Sequence, residues 1–331
     1  MRVLVPGGAG YVGSHAVQEL ITAGHDVVVY DNLSTGHREF VKGVPLIVGD
    51  IADYELMLST LRGVDAVMHF AASAYVGESI ENPRKYFHNN VESALRLADA
   101  VLASDVRLFV FSSTCAVYGV PEHLPIEESS PRSPINPYGA TKLFFEQVLS
   151  AYQHSHGLRF ACLRYFNAAG AHFAGEIGEY HDPETHLIPL AIRAALGSAP
   201  PLVIYGKDMP TEDGTCVRDY VHVSDLGRAH VKALDYLAKG GDSVNLNLGT
   251  GKGTSIGSLI AAVKELAGRE VPHRFGPRRK GDPPALYSDV SLARTVLHWE
   301  PQYDLQSMLQ TAWEWETIGL PRLFPSADRR L

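Results

Sequence analysis

Short apolar runs alternate with longer periodic segments through the first half of the chain. Arg2–Val5, Asp26–Tyr30, Pro45–Val48, Ala66–His69, Leu108–Phe111 and Phe160–Leu163 are brief and almost continuously apolar. Runs of that kind predict strands buried on both faces. Between them, Val12–Ala23, Pro83–Ala103 and Pro137–Gln153 carry apolar residues at helical spacing, which predicts helices. Regular strand–helix alternation predicts an α/β fold, a doubly wound parallel sheet with helices on both faces.

After Gly170 the pattern loosens. A polar stretch rich in Gly and His, His172–Glu184, leads into a predicted helix at Leu187–Leu196 and a strand at Leu202–Tyr205. A helix at Asp225–Leu237, a strand at Val244–Leu248 and a helix at Ile256–Ala267 follow. The expected organisation is a nucleotide-binding domain over residues 1–168 and a smaller mixed α/β lobe over 169–331, partly interleaved with it. Loops of that lobe would shape a second ligand site.

Composition narrows the function classes. With 29 basic against 37 acidic residues the net charge is −8, and 45% of the 331 residues are hydrophobic. No basic stripe is available to neutralise a nucleic-acid backbone, so no nucleic-acid partner is expected. An anionic ligand needs a local positive site; Arg218 and the run Arg278-Arg279-Lys280 are candidates, although such a run by itself reads as a solvated charge cluster. The three cysteines, Cys115, Cys162 and Cys216, are far apart and form no C-x-x-C pair, which fits a reduced, cytoplasmic setting. Fifteen histidines, His181 and His186 among them, show no H-E-x-x-H spacing, and no metal site is expected. No run of about 18 apolar residues predicts a membrane span.

Chemistry gathers at predicted strand ends. Gly7-Gly-Ala-Gly10-Tyr-Val-Gly13 follows the first strand and opens a helix. Glycines there permit a tight turn, and the helix N-terminus offers free N–H groups to a pyrophosphate, the mark of a Rossmann-type dinucleotide site. The spacing is G-x-x-G-x-x-G rather than G-x-G-x-x-G. Asp31 ends the second strand, where an acid binds a ribose 2′-hydroxyl and disfavours a 2′-phosphate; the expected cofactor is NAD. Gly49-Asp50-Ile51 and His69-Phe70-Ala71-Ala72 occupy further strand ends, with helix capping as the structural alternative for Asp50.

The reacting groups are expected on the helix that begins near Pro137. Tyr138 and Lys142 are four residues apart and share one helix face. A neighbouring ammonium favours the phenolate, so Tyr138 is expected to have a lowered pKa and to act as a general base. Upstream, the fifth strand ends in Ser112-Ser113-Thr114, any of which has the hydroxyl to hydrogen-bond a substrate oxygen.

The Gly-rich turn, Asp31, the Ser-Ser-Thr strand end and Tyr-x-x-x-Lys, in this order, resemble the extended short-chain dehydrogenase/reductase family. Arg164-Tyr-Phe-Asn167, Thr211-Glu-Asp-Gly-Thr-Cys-Val-Arg-Asp-Tyr220 and Pro277-Arg-Arg-Lys-Gly-Asp282 resemble the substrate segments of its UDP-sugar 4-epimerases. The resemblance runs from Val3 to about Trp315. It implies Tyr138 as base, Lys142 as its tuner and ribose anchor, and Thr114 as the hydroxyl near the reacting oxygen. For the cofactor it implies Gly7, Gly10, Tyr11, Val12 and Gly13 at the first turn. Asp31, Asn32, Asp50 and Ile51 belong to the same implied set, as do Phe70, Ala71, Ala72, Asn89, Ser112 and Phe166. For the UDP-sugar it implies Asn167, His186 and Leu187, Tyr205 at the uracil, and Arg218, Arg279 and Asp282 around the diphosphate. Arginine suits that task through its planar, bidentate fork.

The resemblance also implies a reaction: NAD-dependent oxidation at C4 of a UDP-hexose, turning of the 4-keto intermediate, and re-reduction from the other face. UDP-glucose and UDP-galactose are the expected pair, and a homodimer through Pro83–Ala103 and Pro137–Gln153 the expected assembly. Cys115-Ala116 follows Thr114 where dehydratases and decarboxylases of the family need a carboxylate. Ala74 stands where some members carry a cofactor-contacting lysine, and Leu286 where members tune access for N-acetylated sugars. Ala74–Ser79 and Ser113–Ala116 also resemble pentose-directed relatives, so UDP-xylose/arabinose and UDP-N-acetylglucosamine epimerisation are alternative expectations. A catalytically silent NAD-binding sensor or scaffold is a third.

Overall fold

Successive side chains of a strand point to opposite faces of its sheet, and the computed structural model, which describes residues 1–279 and 282–325, shows both faces filled. In chain order the strands are β1 (Arg2–Pro6), β2 (Asp26–Asp31), β3 (Leu46–Val48), β4 (Ala66–His69), β5 (Leu108–Thr114), β6 (Arg159–Tyr165) and β7 (Asn167–Ala169). They continue as β8 (Leu202–Tyr205), β9 (Val217–His222), β10 (Val244–Leu248), β11 (Gly253–Ser255), β12 (His273–Gly276) and β13 (Ala285–Leu286). The helices of the first half are α1 (Tyr11–Thr22), α2 (Tyr54–Thr60), α3 (Val76–Glu81), α4 (Pro83–Phe87), α5 (Ala94–Leu102) and α6 (Pro137–His156). Those of the second are α7 (Leu187–Leu196), α8 (Val223–Ala238), α9 (Ile256–Ala267), α10 (Ser291–Leu297) and α11 (Leu305–Glu314).

Seven strands form one sheet in the order β10-β6-β5-β4-β1-β2-β3, and every pair is parallel. Val3, Val5, Val27, Val29, Val110 and Leu163 face one way, against Val17 and Leu20 of α1 and Leu226 and Leu234 of α8. Their neighbours Leu4, Val28, Val67, Phe109 and Phe111 face the other way, against Leu97, Val101, Phe145 and Leu149. Each such side chain taken out of water contributes about 1.5–3 kcal/mol. The chain winds outward from β1 to β2 and β3, then returns to place β4 on β1's other side. That reversal opens a crevice at the carboxyl ends of β1 and β4.

Two expectations differ in detail. The helix expected over Pro83–Ala103 is α4, a π-helical turn at His88–Ser93, and α5. The wider turn carries Asn90, whose amide bonds Ser73 and, at 3.2 Å, the Thr141 hydroxyl on α6. Side-chain tethers of that kind leave no trace in apolar periodicity. The strand at Val244–Leu248, expected in the smaller lobe, pairs with β6 and forms an edge of the large sheet. Helix α8, which leads into that strand, crosses with it and meets α1 so closely that a Cβ at Gly227 would sit 2.8 Å from Glu19 Cγ.

The rest of the second half has its own core of Ile188, Ile192, Ile204, Leu259, Val263 and Leu309. Strand β9 pairs with β7, β11 and β13, and β8 pairs with β12. The expected lobe boundary at 331 lies outside the described residues. Among the described residues no helix is long and apolar enough to cross a membrane.

Candidate functional site

Backbone geometry builds the nucleotide end. Gly7 has φ 82°, and a Cβ there would overlap the Ala71 backbone; one at Gly13 would overlap the Gly7 carbonyl. The Pro6 carbonyl accepts from the N–H groups of Phe70 and Ala71, at 2.7 and 3.0 Å, which locks the ends of β1 and β4 together. Gly10 caps α1 without a side chain, so the first-turn N–H groups of Tyr11, Val12 and Gly13 have no cap from it. A Cβ at Gly10 would meet only the Gly7 carbonyl, at 3.4 Å, so the approach to that turn is open. This cradle fits a pyrophosphate.

Asp31 closes the far side of the cradle. Its carboxylate accepts from Ala9 N at 3.0 Å and Leu33 N at 2.8 Å. Burial pushes its pKa up, and those two N–H groups pull it partly back. Asn32 donates to Asp50 Oδ2 at 2.9 Å, which brings the two expected residues together. Asp50 is not a helix cap: α2 is capped by Asp53, which accepts from Leu56 N. Ile51 is buried in the core, and Phe70 packs on His230 with ring centroids 4.7 Å apart. Asn89 bonds Ser73 Oγ at 3.2 Å, and Ala72 lies between that serine and Ala71. His69 points into the core beside Phe111, where burial holds its pKa down at about 3.

Helix α6 positions the reacting groups, and its start follows from sequence. Asn136 accepts from Gly139 N at 2.8 Å and Pro137 takes the first turn, where its missing N–H costs nothing. Tyr138 is 8% exposed and Lys142 3%. Lys142 Nζ donates to the Ser112 carbonyl at 2.8 Å and lies 5.9 Å from the Tyr138 ring centroid. The expectation of a lowered phenol pKa fails here. Burial raises Tyr138, with Thr114's hydrogen bonding pulling the other way. Burial also drives Lys142 down to about 7, partly offset by Cys162 and Glu146. Desolvation outweighs the pairwise attraction that the spacing suggested.

Strand alternation distinguishes the three hydroxyls. Ser113 Oγ donates to Glu146 Oε1 at 2.5 Å, inside a buried network in which Arg164 binds both Glu146 oxygens. Ser112 Oγ bonds the Tyr165 hydroxyl at 2.7 Å. Thr114 Oγ1 accepts from Ala116 N at 3.2 Å, and its hydroxyl is also hydrogen-bonded to the Tyr138 phenol. Phe166, 5% exposed, packs behind with Val117, Tyr118 and Leu286.

The second-half candidates are held mainly by one another. Asn167 donates to the Asp219 carbonyl at 3.0 Å. Arg218 is bonded to Asp282, and Arg279 lies over the Tyr205 ring at 3.9 Å. Arg278 pairs with Asp208 at 2.7 Å, and Lys280 lies outside the described residues. His186 caps α7 in position only; its ring bonds Glu179, and Leu187 is the helix's first residue. Three residues escaped the sequence reading: Glu146 and Arg164, and Asp219, whose carboxylate accepts from Thr250, Gly251 and Ser288. Their signal is burial of charge, which needs the fold.

Residues 3–249 match the NAD dependent epimerase/dehydratase family. The UDP-glucose 4-epimerase of Rhizobium meliloti (strain 1021) is 51% identical over 318 residues, 96% of this chain and 97% of that protein. The crystal structure of UDP-glucose 4-epimerase from Brucella ovis in complex with NAD superposes with TM-score 0.93 at 50% identity, covering 95% of this chain and 98% of that one. UDP-glucose 4-epimerase from Stenotrophomonas maltophila, with bound NAD and formylated UDP-arabinopyranose, has TM-score 0.93 at 41% identity, covering 96% and 98%.

Proposed function

The chain belongs to the NAD dependent epimerase/dehydratase family, and from that premise we propose that it interconverts UDP-glucose and UDP-galactose. The cofactor is NAD. It would be held by the first turn of α1 and by Asp31, with Phe70, Ala71, Ala72 and Asn89 along its course. When bound it supplies the hydride acceptor and donor for C4 and, oxidised, a positive charge at the reacting end.

The chain's own residues move the proton. Thr114 donates a hydrogen bond to the sugar's O4 and keeps its own proton. Tyr138 accepts the O4 proton as C4 is oxidised and returns it when the 4-keto sugar is reduced from its other face. Lys142, fixed on the Ser112 carbonyl, positions the phenol and carries its charge only below about pH 7. Arg218, Arg279 and Asn167 would hold the diphosphate, with Tyr205, His186 and Leu187 at the nucleoside, while the sugar turns. The observation that carries the reading is the end of β5: the Thr114 hydroxyl bonded to buried Tyr138, followed by Cys115 and Ala116, with no carboxylate next to it to drive elimination.

Purified protein given UDP-galactose without added NAD should form UDP-glucose with no build-up of NADH absorbance. Accumulating NADH, or no conversion, would overturn the proposal. UDP-N-acetylgalactosamine and UDP-xylose should turn over more slowly. The reading extends to a cytoplasmic homodimer: Val76, Ile80, Phe87 and Phe144 leave large apolar side chains exposed on α3, α4 and α6, and light scattering of the purified chain measures the assembly.

A further inference from the structure

The polar stretch before α7 gathers four side chains that take no part in the proton transfer, one of them, His186, also placed at the nucleoside by the proposed function. Glu179, His181, Glu184 and His186 each present one ligand-type atom, and the four atoms lie within 4.8 Å of one another. His181 Nδ1 is 3.4 Å from Glu179 Oε1 and 3.6 Å from Glu184 Oε2, and His186 Nδ1 is 3.7 Å from Glu184 Oε1. The Glu184 side chain is only 2% exposed. Its Oε2, and His181 Nδ1 facing it, are buried without a hydrogen-bond partner among the described residues. Buried polar atoms are normally satisfied, so two orphans aimed at one point call for a shared third party.

The separations have the scale of a coordination shell. Nitrogen and oxygen ligands sit about 2.0–2.2 Å from Zn²⁺, which puts tetrahedral neighbours about 3.3–3.6 Å apart. Two imidazoles and two carboxylates also form the mixed donor set that suits zinc-type divalent ions rather than calcium or magnesium. We infer that Glu179, His181, Glu184 and His186 form a binding site for one zinc-type divalent metal ion. The ion takes the place of the proton that His186 and Glu179 share. With four protein ligands the site is closed, so its task is structural. Tyr11 of the Gly-rich turn lies 6.2 Å from the His181 ring and Tyr75 5.6 Å from it. A filled site therefore fixes the start of α7 beside the cofactor turn.

Co²⁺, whose visible absorption reports its coordination, is the probe. Chelator-treated full-length protein should take up one equivalent of Co²⁺ with a four-coordinate spectrum that Zn²⁺ abolishes, and Zn²⁺ should raise its melting temperature. His181→Asn and Glu184→Gln should each weaken Co²⁺ binding at least tenfold and remove the thermal gain. His154→Asn, on the surface of α6, should change neither. No four-coordinate spectrum from wild-type protein would overturn the inference, with a water serving the two orphans instead. So would equal binding by wild type and both cluster variants, or loss of binding in the His154 variant.

Discussion

The cofactor wall and the substrate wall of this site are made of different materials. Gly7, Gly13, Pro6 and Ala71 shape the first through backbone contacts that leave no room for even one added carbon. Long charged side chains already engaged with one another, Arg218 with Asp282 and Arg279 with Tyr205, shape the second. A backbone wall holds one ligand shape and tolerates little change. A side-chain wall would have to exchange partners to take up the diphosphate proposed for it. Tyr138 and Lys142 stand at the seam, on α6, which packs on the rigid side.

The sharpest test of that contrast is at the seam. Tyr138→Phe should retain its fold and bound NAD yet lose about 10²–10⁴-fold in kcat; near-normal turnover would move the proton chemistry elsewhere. Next, Gly13→Ala should cost about 1–3 kcal/mol of NAD affinity, read by NAD titration, with little change in UDP binding. Equal losses for both ligands would dissolve the distinction between the walls. On the substrate side, Arg218→Lys keeps the charge but loses the fork, and KM for the UDP-sugar should rise about tenfold while NAD content stays unchanged. The last test concerns stability rather than ligand binding. Above about pH 7 the folded protein holds Lys142 neutral, whereas the unfolded chain keeps it protonated up to its ordinary 10.5. The unfolded state then binds more protons, so stability should rise with pH across that window. Lys142→Met should lack that slope in denaturant titrations.

Legibility in the sequence follows the same division. Ala66–His69, Leu187–Leu196, Leu202–Tyr205 and Val244–Leu248 have the bounds expected from their apolar runs, because burial against a core writes itself into local composition. The Gly-rich turn and Asp31 were equally readable, since steric demands on backbone admit few residues. Partnerships over long separations were not. Nothing in the periodicity of α6 tells that Glu146 will meet Arg164, or that Arg218 will be neutralised by Asp282. Tyr138 shows the same limit in energy: spacing announced a favourable charge nearby, while the larger penalty of desolvation came from everything packed around it.

Strand β10 has a consequence for how the protein is made. The large sheet needs Val244–Leu248 as its edge beside β6, and α1 needs α8 as its cover. A nascent chain that has emerged only through β6 therefore holds six of seven strands with an unpaired edge and a bare apolar helix face. Helix α8 closes the helix face only when residue 238 has emerged, and β10 the sheet edge only when residue 248 has. During that interval the free edge of β6 and the apolar face of α1 remain open to mispairing.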